Sequence, residues 1–185
     1  MQTFPLNGVA QDSINRLKDT RHQLANLISK FNDTQFNLQP FEGSWTGSQV
    51  VDHIRKSVKG IPSVFSGNTN VASRMPDEKF DLIHKVFLDF EARYKAPEFI
   101  IPAKVFLHVN ESVDRINKAF DTILIKSASI DLSLIYSDFE IPMMGRFTGL
   151  EWIEFVNCHT LRHINQLKKI HSAVTEMDDS DLSGV

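Results

Sequence analysis

Residues 148–170 read TGLEWIEFVNCHTLRHINQLKKI, and the repeat of apolar and polar residues within them decides the fold. Trp152, Phe155, Val156, Leu167 and Ile170 recur at helical spacing, as they do on a helix that turns one face to a core. Thr148 and Glu151 form the capping-box pair, in which hydroxyl and carboxylate satisfy the free N–H groups of a helix start. His159 and His163 are four residues apart and so stack on one helix face. That face runs Trp152, Val156, His159, His163, Gln166, Ile170, which aims both imidazoles inward. Two readings remain open for the pair: hydrogen-bonded core histidines, or ligands to a metal.

Three more segments carry the same periodicity. Ile14, Leu17, Leu24, Leu27, Ile28 and Phe31 mark a first helix between about Gln11 and Asn32. Val50, Ile54, Val58, Ile61 and Phe65 mark a second, whose start at Thr46 carries another capping box, TGSQ. Val109, Ser112, Val113, Ile116, Phe120 and Ile123 mark a third, beginning either at an Asn110 cap or just after Pro102. The connection from Gly67 to Pro102 is too long for a tight turn. Phe80, Ile83, Phe87, Phe90 and Tyr94 predict a short extra helix inside it, bracketed by Pro76, Pro97 and Pro102. Residues 127–147 form a second irregular connection. The expected fold is all-α: a four-helix bundle that is not simply up-down-up-down. One domain spans 1–174, and 175–185 form a polar acidic tail expected to fray.

Composition narrows the function classes. A net charge of −3 with no basic run gives no footprint for nucleic acid. The lone cysteine, Cys158, excludes a disulfide framework and a Cys-rich zinc site. No basic-then-apolar leader opens the chain and no apolar stretch reaches membrane length, so a soluble cytoplasmic protein is expected. Fourteen Phe against two Tyr favour an aromatic core without polar handles.

His53 sits between Val50 and Ile54, on or beside the inward face of the second helix. With His159 and His163 it would offer three nitrogens from two facing helices to one divalent ion, the pattern of open catalytic sites. Zinc, nickel, copper and ferrous iron all accept imidazole. His22, His84 and His171 read as surface or packing residues. His108 could reach the site, depending on where the third helix starts. Gln166 could orient a ligand, and Cys158, about 100° around the helix from His159, reads as a small apolar packing group.

The segment GSWTGSQVVDHI followed by FTGLEWIEFVNCHTLRHINQLKKI resembles the DinB-like superfamily, with its YfiT-type members. Trp45, Thr46 and His53 match the first part of its pattern. Glu151, His159, Arg162, His163, Gln166 and Leu167 match the second, and the resemblance covers about residues 10–172. It implies an up-down-down-up bundle and a metal held by His53, His159 and His163, with nickel or zinc usual among relatives. It also implies homodimers and, where chemistry is assigned, S-transfer or isomerisation using a low-molecular-weight thiol such as bacillithiol or mycothiol. Two functions follow as expectations: a metal-dependent thiol transferase or hydrolase acting on a small molecule, or a non-catalytic metal-binding or stress-associated bundle. Loops Phe41–Trp45 and Met143–Phe147 are expected to shape the pocket, and no general base stands out.

Overall fold

All four long amphipathic segments are helical in the computed structural model, which describes residues 7–182, with side chains described for 8–178. Among the described residues the α-helices are α1 (Asn7–Ile28), α2 (Asp33–Asn37), α3 (Gly47–Val64), α4 (Phe80–Phe87), α5 (Val109–Ser127) and α6 (Gly149–Leu182), and a single 3-10 turn spans Glu98–Ile100. A two-residue antiparallel ribbon pairs β1 (Thr69–Asn70) with β2 (Ile135–Tyr136). The protein is thus predominantly helical. α1 and α3 each pack against both α5 and α6. Leu17, Leu24, Ile28, Val50, Ile54, Ile116, Phe120, Ile123 and Leu167 meet there, all fully buried. Each such side chain contributes roughly 1.5–3 kcal/mol of transfer free energy. No helix among the described residues is long and apolar enough to cross a membrane.

Both capping boxes form. Thr46 Oγ1 accepts from Gln49 N at 3.2 Å while Gln49 Oε1 accepts from Thr46 N at 3.0 Å. At α6, Thr148 Oγ1 accepts from Glu151 N and Glu151 Oε2 accepts from Thr148 N, at 3.1 and 2.9 Å. Glu151 does more than cap. Its fully buried carboxylate also accepts from Lys79 N at 2.9 Å and from the Arg74 guanidinium at 2.7 Å. The start of α6 is thereby fastened to the segment leading into α4. A buried carboxylate is tolerable only when paired and fully hydrogen-bonded, and here it is.

Four expectations are corrected. α5 begins at Val109, because Asp33 Oδ1 accepts from Val109 N at 2.8 Å and Asn37 bonds both N and O of Leu107, at 3.0 and 2.9 Å. Those bonds hold the preceding residues extended, so neither Pro102 nor Asn110 starts the helix. α4 stops at Phe87 short of Tyr94: Asp89 Oδ1 accepts from Glu91 N and Ala92 N, and Arg162 donates to the carbonyls of Asp89 and Ala92. A side chain that satisfies nearby backbone groups competes with a helix for them. The tail does not fray at 175, since α6 runs to Leu182 with Val174 buried and Asp178 accepting from Gln35 Nε2 at 2.6 Å. Residues 183–185 lie outside the described residues. The first helix ends at Ile28, and α2 follows with its own capping box from Asn32 and Gln35.

The glycine after each capping threonine marks a close approach. A Cβ on Gly47 would stand 3.1 Å from the Phe36 ring, and one on Gly149 would stand 2.9 Å from Leu132 Cα. The second obstacle is backbone and cannot rotate away. Gly149→Ala is therefore expected to lower stability by about 1–3 kcal/mol, as overpacking does. Urea unfolding of the variant checks this, and an unchanged midpoint would show that the 132–149 contact yields easily.

Candidate metal centre

α3 and α6 face each other with His53 on one and His159 and His163 on the other, all three buried. His53 Nε2 and His163 Nε2 each lie 3.2 Å from His159 Nε2. A ligand atom from each residue falls within 4.8 Å of the others, an arrangement that could hold a metal ion. Nitrogens bonded at about 2.0–2.1 Å around a tetrahedral ion stand about 3.3 Å apart, so two of these separations already suit one centre.

The far sides of two rings are fixed. His53 Nδ1 donates to the Ile100 carbonyl and His163 Nδ1 donates to Gln166 Oε1, each at 2.9 Å. A proton held at Nδ1 leaves Nε2 with a free lone pair, which is the form a metal ligand requires. The Ile100 bond belongs to a wider clip. Asp52 Oδ2 accepts from Ala103 N at 3.2 Å and Lys56 Nζ donates to Ile101 O at 2.7 Å, so residues 100–103 lie along α3.

Aromatic rings wall the group. Trp45 stands 5.1 Å from the His53 ring, Phe155 stacks on His159 at 5.6 Å with an 18° interplanar angle, and Phe87 meets the same ring edge-on at 5.8 Å. Burial holds His53 below the ordinary histidine range, and burial together with the neighbouring imidazoles drives His159 much further down. His163 falls to about 3, through burial first and then His53. All three are therefore neutral bases at physiological pH.

Other candidates lie elsewhere. His108, at the exposed start of α5, pairs its Nδ1 with Asp33 Oδ2 at 2.7 Å and is not part of the group. Gln166 is beside it, on His163. Trp45 of the first pocket loop borders it, but Phe41 is exposed, and in the second loop Met143 is fully exposed with a positive φ of 65° while Phe147 packs on Trp152 and Phe155. Cys158 is buried, and burial and then the Glu154 carboxylate push its thiol up, so it stays protonated. Arg162, matched above on its motif, reaches outward, over the Tyr94 ring at 5.0 Å and onto the Asp89 and Ala92 carbonyls. Ile100 escaped the sequence reading because a backbone carbonyl has no sequence signature. Phe155 had one, its i,i+4 spacing to His159, but it reads equally as core.

A Bacillus subtilis (strain 168) protein named "Uncharacterized protein YuaE" is 24% identical to this chain over 160 residues, covering 84% of this chain and 95% of the relative. No protein-family profile matches the chain, and no solved structure matches it. The relative's name assigns no activity, so the chemistry has to come from the geometry.

Neutral buried histidines make acid stability a readout. Their folded pKa values lie below the unfolded value of about 6.5, so below that pH the unfolded chain binds more protons and stability falls, each group adding up to about 1.4 kcal/mol per pH unit. For His163 the fall continues toward pH 3. Chelator-treated wild type should lose urea midpoint from pH 6.5 to 5 more steeply than His163→Leu. Parallel slopes would mean that His163 is protonated equally in both states.

Proposed function

We propose that the chain is a DinB-like, YfiT-type metal-dependent enzyme, an up-down-down-up four-helix bundle whose three histidines bind one nickel or zinc ion. The observation that carries this reading is the convergence of three Nε2 atoms, with the rings of His53 and His163 locked from behind by Ile100 O and Gln166 Oε1. Such an ion would act as a Lewis acid on a thiol or water in its remaining position. The chain's own contribution is to hold three neutral donors ready. Trp45, Phe87 and Phe155 lower the local polarity, so that an anion beside the site is attracted more strongly than in bulk water. The reading takes a small electrophile as substrate, a low-molecular-weight thiol or water as nucleophile, and S-transfer or hydrolysis as reaction. Its setting is the cytoplasm, which a lone cysteine fits, and its assembly a homodimer, which the sequence resemblance implies.

Burial favours a second reading. The three histidines are between 3% and 8% exposed, and two clefts along α6, of about 430 and 350 Å³, are lined by other residues. A bundle that holds an ion without turnover would be built this way.

Elemental analysis of the untagged protein reconstituted with nickel or zinc tests the site. His53→Ala and His163→Ala should each carry one ion per chain less than wild type, while an unchanged content would remove the three-histidine centre. Thiol-transfer and hydrolysis screens on the loaded protein then separate the two readings.

Gln166→Leu should weaken metal affinity by about 10–100-fold, the usual effect of removing the partner that orients a histidine ligand. Competition against a chromophoric chelator measures it, and an unchanged affinity would reduce Gln166 to a packing residue.

A further inference from the structure

A second group of donor atoms lies on another face of α6. Glu154 is 2% exposed and sits among three partners. Its Oε2 accepts from Arg16 Nη2 at 2.9 Å, which holds the carboxylate in place and leaves Oε1 free to face elsewhere. Oε1 faces His84 Nε2 at 2.8 Å and Cys158 Sγ at 3.6 Å. Nitrogen, oxygen and sulfur, one from each residue, thus fall within 4.8 Å of one another.

The chemistry of that set is specific. Imidazole, carboxylate and thiolate together suit a borderline-soft divalent ion, zinc above all, and disfavour magnesium and calcium, which take oxygen. Bonds of about 2.0–2.3 Å to a tetrahedral zinc place a sulfur and an oxygen about 3.5 Å apart and a nitrogen and an oxygen about 3.3 Å apart. The sulfur–oxygen distance already fits. The nitrogen–oxygen distance has to open by about half an ångström, and His84, its side chain 41% exposed on the short helix α4, is the partner with room to move. The three donors, with Arg16 and Leu88, border a cleft of about 430 Å³, which would leave room for a further ligand.

We propose that His84, Glu154 and Cys158 form a second zinc site, separate from the three-histidine centre. Binding replaces the hydrogen bonds to Glu154 Oε1 with bonds to the ion. The thiol proton leaves to solvent, the proton that His84 Nε2 directs at Glu154 Oε1 is exchanged through solvent so that the neutral ring carries its one proton on Nδ1 and ligates through Nε2, and no electron is transferred. Zinc(II) with one thiolate, one carboxylate and one neutral imidazole has no net charge of its own, and the one positive charge left over is that of Arg16, which stays paired with Glu154 Oε2 and whose side chain is 44% exposed.

Cobalt(II) serves as the probe, because a thiolate ligand gives it a near-ultraviolet sulfur-to-metal band that three imidazoles cannot produce. Titrated into chelator-treated, untagged full-length protein, cobalt should raise that band to saturation at one equivalent per second site. The double variant His53→Ala/His163→Ala should keep it, so failure of the three-histidine centre leaves this test intact. Cys158→Ala should abolish the band. His84→Ala, at a half-exposed position that folding tolerates, should weaken cobalt binding at this site at least tenfold, and it decides the matter where Cys158→Ala fails to fold. Absence of the band in wild type at excess cobalt overturns the proposal. So does a band that disappears with His53 and His163 yet survives His84→Ala, since Cys158 would then serve the other centre.

Discussion

The hydrogen bond from His53 Nδ1 to the Ile100 carbonyl is the constraint on which the rest of the centre depends. It does three things at once. It fixes the ring about its side-chain torsions, it places the proton on the nitrogen that faces away from the group, and it ties the 3-10 turn Glu98–Ile100 to α3. The same segment is held by Asp52 and Lys56, the residues one before and three after His53 on the same helix. α3 thus presents consecutive polar residues to a strap of backbone and uses one of them to look inward. A change that loosens residues 100–103 would reach His53 without touching any ligand.

α6 carries the remaining burden through its length. Its start is anchored by Glu151 to Arg74 and Lys79, its middle displays two donor groups on different faces, and its end is tied by Asp178 to Gln35 of α2. Residues 154 and 158 share one face and residues 159 and 163 another, because i,i+4 pairs stack while neighbours in sequence diverge by about 100°. A single residue of offset separates them: Cys158 turns toward α1 and α4, while His159 turns toward α3. Neighbouring positions can therefore serve chemically distinct sites without interfering.

What was legible in the sequence was whatever repeats locally. The apolar stripes gave the four long helices, TGSQ and TGLE marked two starts, and the i,i+4 histidines identified their own face. What was not legible was every bond between a side chain and distant backbone. Asn37 on Leu107 sets where α5 begins, Arg162 on Asp89 and Ala92 sets where α4 ends, and Ile100 sets the tautomer of His53. None has a period or a motif. His84 illustrates the limit. It read as surface or packing because its partners, Glu154 and Cys158, lie 70 and 74 positions away, although those two stand at the same i,i+4 spacing as the histidine pair. Asn32 and Gln35 of α2 did carry a capping-box pattern, but five residues are too few for a stripe to show.

The two donor groups also differ in the charge they would leave behind, and that difference bears on function. Three neutral imidazoles around a divalent ion leave two positive charges in a buried, ring-walled place, with Arg162 close enough to push His159 and His163 further toward neutrality. Such a charge is costly unless an anion arrives to share it. On the proposed reading this makes the centre a trap for a thiolate or hydroxide, and among the described residues no carboxylate joins the three histidines to fill that role. At the second group the chain supplies two anions itself, as Glu154 and the Cys158 sulfur, so the only positive charge left over is that of Arg16, already paired with Glu154. The more positive centre suits activation of an incoming nucleophile, and the more nearly balanced one suits holding α1, α4 and α6 together. The division of labour follows from where the carboxylate sits.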